Sequence, residues 1–133
     1  MSYAYYNLGW TCHDLGDFKN AQRHTEEALQ LSQKNGEKFT EGMSWILSGR
    51  ILGKIEPRRI DRAEESILKG MEILQGLKIK AVYSQGYLFL GELYLNGGKL
   101  DKAKNTLKRA DGLFQEMGMD YWSARAKEVM KRF

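Results

Sequence analysis

The stretch Leu90-Gly91-Glu92-Leu93-Tyr94-Leu95-Asn96-Gly97-Gly98-Lys99-Leu100-Asp101-Lys102-Ala103 decides the fold. Tyr87, Leu90 and Tyr94 follow a helical period, Gly97-Gly98 breaks it, and Leu100, Ala103, Leu107, Ala110 and Phe114 start a second one. Two antiparallel helices approach closely only where small residues face each other. A glycine on the first helix and alanines on the second supply that contact. The stretch therefore predicts a helical hairpin turning at Gly98-Lys99-Leu100.

The same arrangement recurs upstream. Leu8-Gly9 and Ser48-Gly49 match Leu90-Gly91, and Ala21 and Ala63 match Ala103. Seven residues further lie Ala28, Gly70 and Ala110. The step from glycine to alanine is 12, 14 and 12 residues, and the step from alanine to the next glycine is 28 both times. The first helices carry Tyr5, Leu8, Cys12 and Leu15, then Trp45, Leu52 and Ile55. The second helices carry Phe18, Ala21 and Ala28, then Ile60, Ala63, Ile67, Met71 and Leu74. Gly36, Gly76 and Gly118 follow the second helices, where glycine can take the left-handed C′ conformation. The middle turn is two residues longer and contains Pro57, which bars a continuous helix.

These residues resemble the tetratricopeptide repeat family over nearly the whole chain. The family's pattern of an aromatic, Leu-Gly, an aromatic, then Ala, a bulky residue and Ala reads here as Tyr5, Leu8-Gly9, Cys12, Ala21, Thr25, Ala28. It reads again as Trp45, Ser48-Gly49, Leu52, Ala63, Ile67, Gly70, and as Tyr87, Leu90-Gly91, Tyr94, Ala103, Leu107, Ala110. The family period is about 34 residues; here it is 40 to 42, similar to the kinesin light chain and related scaffolds. The resemblance implies an all-α, right-handed superhelix of three hairpins, over about 2–35, 37–76 and 78–117, forming a single domain. A capping helix over about 119–133 follows in the place of a fourth first helix, with Trp122, Ala126, Val129, Met130 and Phe133 on its apolar side. The chain is expected to be part of a larger protein. Its ending, Leu113 to Trp122, is similar to the ends of helical-repeat regions in bacterial signalling proteins.

In this family the first helices line a concave groove. The register puts Tyr3, Tyr6, Trp10, His13, Met43, Ile46, Leu47, Arg50, Gln85, Leu88, Phe89, Glu92 and Asn96 there. Aromatic and arginine anchors suit a protein or peptide partner. Tyr3, Tyr6 and Trp10 equally suit packing on a preceding repeat, and Arg50 and Glu92 equally suit solvated or paired charges. Some members hold a peptide carboxylate with basic and amide residues. The positions here are Tyr6, Trp10, Leu47, Gln85 and Phe89, so that ligand class does not fit. Self-association through an uncapped first hairpin, exposing Tyr3, Tyr6 and Trp10, is a further expectation.

Composition narrows the classes. Hydrophobic residues form 42% and charged residues 29% of the chain, a globular balance. The net charge of +4 is mild, and basic residues alternate with acidic ones, as in Lys102, Lys104 and Lys108 beside Asp101 and Asp111. No nucleic-acid partner is expected, since such a footprint needs clustering. No run approaches the roughly 20 apolar residues of a membrane span, and the first residues lack a signal-peptide pattern. One cysteine allows no internal disulfide, so a cytoplasmic setting is expected. Cys12-His13-Asp14 is no catalytic set, because successive helical residues point about 100° apart. His24, among Arg23 and Glu26-Glu27, reads as exposed. No zinc spacing or phosphate loop appears, so no metal, cofactor or enzymatic activity is expected. The function implied is a binding scaffold, with a ligand-sensing region of a larger signalling or transcription regulator as the alternative.

Overall fold

The computed structural model describes residues 1–132. They form α1 (Ser2–Asp14), α2 (Phe18–Asn35), α3 (Lys38–Ile55), α4 (Ile60–Gly76), α5 (Lys80–Asn96), α6 (Leu100–Glu116) and α7 (Asp120–Met130). Successive helices pair as antiparallel hairpins that stack into a repeat superhelix. α1, α3, α5 and α7 each touch the next of their set. Among the described residues α2, α4 and α6 do not touch one another, so the array bends toward the first helices.

The glycine–alanine contacts hold each hairpin. A Cβ on Gly49 would lie 2.6 Å from the Ala63 carbonyl oxygen, and one on Gly9 3.3 Å from that of Ala21. At the far end of the hairpins Gly42 faces Gly70, and the repeat register puts Ser2 with Ala28 and Ser84 with Ala110 at the equivalent places. The outer pairs are fully buried. In the middle pair, a Cβ on Gly70 would meet the Gly42 carbonyl oxygen and come within 2.7 Å of Ile46. The middle hairpin is therefore pinched where its siblings are spaced by side chains.

Turns repeat one device. Gly16, Gly36, Gly98 and Gly118 have positive φ, and the next residue's amide returns to the helix, as in Glu37 N to Ser32 O at 2.8 Å. Gly76, expected in that role after α4, is instead the helix's last residue. The left-handed position falls on Lys78, with φ of 59°. The spacing explains the shift, because Gly36, Lys78 and Gly118 are the equivalent positions. The turn around Pro57 lacks the device and closes with Arg59 N to Glu56 O at 2.9 Å. Asp17 caps α2 by accepting from the Asn20 amide, and those bonds hold its carboxyl below the ordinary value.

The core runs through α3 to α7, with Ile67, Leu74, Leu88, Leu107 and Phe114 fully buried. In the first hairpin the expected stripe is open instead. Leu8 is 47% and Leu15 78% exposed. Among the described residues the backbone of α1 lies close to α2 and α3 alone, and Leu8 and Leu15 point away from both. Ile55 is also exposed. Ala126 and Val129 of α7 are buried against α6, with Trp122 and Met130 half-buried beside them; Phe133 lies outside the described residues.

Candidate functional site

The predicted groove residues all lie on the first helices, but neighbours cover several of them. Ile46, Leu47, Leu88 and Phe89 are buried, at 5% exposure or less. Their side chains help hold adjacent first helices together, so at most an edge of each is offered to a partner. Tyr3 and Asn96 are exposed; Tyr6, Trp10, His13, Met43, Arg50, Gln85 and Glu92 are half-buried.

An aromatic ladder occupies the inner face. Tyr3 stacks on Tyr6 at 6.0 Å between centroids, and Tyr6 meets Trp10 at 6.2 Å. Trp10 meets Phe89 edge-on at 6.2 Å, and Phe89 meets Trp122 at 6.2 Å. Trp10 thus packs within the chain while staying half-buried. Trp122, from the capping helix, was not among the predicted groove residues. Its helix stands in the place of a fourth first helix, which is the signal that could have found it.

Two clefts remain beside the ladder. The smaller, about 20 Å³, is lined by Tyr6, Met43 and Gln85 together with core residues. The larger, about 140 Å³, is lined by His13, Arg50, Lys54, Phe89, Glu92 and Asn96, among others. Lys54 was missed by sequence reasoning, although it lies four residues beyond Arg50 on the same helix face.

Arg50 is the centre of the larger cleft. Its guanidinium carbon lies 3.8 Å from the Phe89 ring centroid and 4.9 Å from that of Trp10. Burial pulls its pKa below the ordinary value, opposed chiefly by the Glu92 carboxylate. Yet Arg50 Nη1 and Glu92 Oε1 are both buried without a hydrogen-bond partner. These two atoms are not bonded to each other, while the rest of each side chain is partly exposed. Leaving a buried polar atom unpaired costs about 1–3 kcal/mol. Burial and the Arg50 charge also hold the His13 pKa below its usual value, and burial pushes the Tyr6 phenol up to about 12.

Catalytic groups do not assemble. Cys12 packs on the cluster of Ala21, Leu47 and Ile51. His13 points into the cleft, its Nδ1 3.4 Å from Asp14. His24 stacks on Tyr5 at 6.3 Å. Among the described residues no group of three His, Cys, Asp or Glu side chains could hold a metal, and no helix is long and apolar enough to cross a membrane.

No curated protein matches the chain. The fold is similar to the crystal structure of BtubC (BKLC) from P. vanneervenii, with a TM-score of 0.69 and 20% identity, over 98% of this chain and 63% of that one. At that identity the likeness concerns the fold alone, and this chain spans less than two thirds of that protein. Models of the tetratricopeptide repeat match residues 2–35 and 84–116, together half of the sequence. The middle hairpin lies between the two matched stretches. It is the one with Ser48 in place of leucine, Gly70 in place of alanine and the longer turn. With three stacked hairpins, their glycine–alanine contacts and two matched repeats, the chain belongs to the tetratricopeptide repeat family.

Proposed function

We propose that the chain is a single-domain, non-catalytic scaffold that holds a segment of a partner protein on its concave face. Repeats of this family generally mediate protein–protein interaction. The observation that carries the reading is the aromatic ladder from Tyr3 to Trp122 with Arg50 set into it. Rigid aromatics and arginine on a preformed surface bind at low entropic cost. Clefts of about 140 and 20 Å³ are smaller than the roughly 300–1,000 Å³ of drug-sized sites. On the concave face that size supports a partner segment over a small effector; wider hollows of about 390 and 500 Å³ lie elsewhere, beside Leu77 and Pro57. A cytoplasmic setting belongs to the same reading and rests on the single thiol of Cys12.

Short random peptides displayed on phage test it. The chain should retain some of them. Tyr3→Ala, on the inner face, should weaken retention, whereas Leu68→Ser, exposed on the outer helix α4, should not. Equal effects of the two substitutions, or no retained peptide, would overturn the reading.

Self-association is a separate proposal, and its surface is Tyr3, Leu8 and Leu15 rather than Trp10. Tyr3 and Leu8 are large apolar side chains left open on α1, and Leu15 is left open just after it. A second copy is the occupant proposed. Light scattering across a concentration series should give a dimer that Leu15→Asp dissociates; a monomer at every concentration rejects it.

A further inference from the structure

Arg50 and Glu92 line the larger cleft, and each carries one buried polar atom of opposite character. Arg50 Nη1 is a donor, Glu92 Oε1 is an acceptor, and neither has a partner. They stand at the same register of successive repeats, 42 residues apart. Phe89 and Trp10 lie over the Arg50 guanidinium, so its edges are what remain for hydrogen bonding. Buried polar groups in folded proteins nearly always find partners, and such exceptions call for an explanation.

The chemistry of the walls selects what could satisfy both atoms. A carboxylate would meet Arg50 and Lys54 favourably but would press against the Glu92 carboxylate. An ammonium or guanidinium would meet Glu92 but face two cations. An apolar group would leave both atoms unpaired. Burial, with Arg50 beside it, disfavours a charge on His13. What remains is a neutral group carrying one acceptor and one donor side by side. A primary carboxamide has that pattern on a single carbon. The cleft, about 140 Å³, suits one side chain rather than a folded-over chain segment.

We propose that this cleft takes the carboxamide of a glutamine or asparagine side chain from the bound partner, its oxygen accepting from the Arg50 guanidinium and its NH₂ donating to the Glu92 carboxylate. The proposal rests on the scaffold reading and gives it a sequence requirement. Asn96, at the cleft's mouth by its exposure, is free to contact the same segment.

Phage-displayed random peptides are selected on the wild-type chain and on Glu92→Gln, with melting curves confirming that the variant folds. Wild type should enrich Gln or Asn at one fixed position of the retained peptides. In a synthetic copy of a retained peptide, replacing that residue by Glu or by Leu should weaken binding about tenfold to hundredfold. Glu92→Gln, whose own amide can donate, should move the preference at that position toward Asp or Glu. If Glu92→Gln does not fold, the wild-type comparison of Gln, Glu and Leu peptides decides alone. Retained peptides with no fixed Gln or Asn, or with Asp or Glu enriched by the wild type, overturn this inference and leave the scaffold reading standing. No retained peptide overturns both. Propionamide, added alone, should not compete at concentrations comparable to the peptide. If it binds as tightly as the peptide, the cleft is a small-molecule site and the partner side chain is rejected.

Discussion

α1 and α3 hold the same place in successive repeats, and their fates differ. α3 buries Thr40, Glu41, Gly42, Ser44, Ile46, Leu47, Gly49 and Ile51; α1 buries only Ser2 and Gly9. Composition does not explain it, since α1 carries Tyr3, Tyr5, Tyr6, Leu8 and Trp10. Neighbours explain it. Among the described residues α3 packs against α1, α2, α4 and α5, whereas α1 packs along α2 and α3 and reaches α5 only through Trp10. A first helix in this architecture takes most of its burial from the repeats on either side, and its own sequence supplies only the complementary surface.

The sharpest way to break that comparison is a methyl group. Gly70→Ala installs the residue that the first and third repeats hold at this place, Ala28 and Ala110. In the pinched middle hairpin the new Cβ meets backbone, the Gly42 carbonyl oxygen and the Ile46 nitrogen, which cannot rotate away. We expect a loss of about 3 kcal/mol in urea unfolding. Gly9→Ala meets mainly the Thr25 hydroxyl, which can turn, and should cost about 1 kcal/mol. Equal losses would show that the hairpins are packed alike.

Leu90 and Leu8 are equivalent positions at opposite extremes of burial, 4% and 47% exposed. Leu90→Ala should cost about 3 kcal/mol, and Leu8→Ala about 0.5 kcal/mol. A large loss at Leu8 would mean that another surface covers α1 in solution.

The inter-repeat turns offer a smaller effect of opposite sign. Lys78 has the left-handed backbone that Gly36 and Gly118 take in the matching turns. Lys78→Gly should stabilise the chain by about 0.5 kcal/mol, the relief of left-handed strain exceeding the added freedom of the unfolded glycine. No gain in melting temperature would mean that the lysine's conformation carries no strain.

The smallest expected effect concerns pH. His13 titrates below its unfolded value, so the unfolded chain takes the proton first. Its contribution to stability is present above about pH 6.5 and declines as the pH falls toward the folded value. His13→Gln should flatten that part of the melting-temperature profile; an unchanged profile would remove His13 as its source.

Much of the fold was legible because helix contacts at Gly9, Gly49 and Gly91 impose fixed spacings on the sequence. The groove was less so. Register assigns Ile46, Leu47, Leu88 and Phe89 to the inner side, but how far adjacent first helices cover them depends on the bend of the whole array. The meeting of Trp10 and Phe89 joins residues two repeats apart, beyond any local period. The left-handed Lys78 has no compositional mark, and only its alignment with Gly36 and Gly118 reveals it. Arg50 looks like an ordinary surface charge in the sequence, because the rings that cover it come from α1 and α5.

Trp10 touching Phe89, and Phe89 touching Trp122, has a mechanical consequence. A solenoid whose units lean only on adjacent units behaves as a string of springs, each free to flex. Here the rings form a tie rod along the inside of the bend, fastened at α1, α5 and α7. Opening the arc, by thermal breathing or by a pull on its ends, must part these ring contacts together. The arc is thereby stiffened against straightening, and its curvature is set by the chain itself.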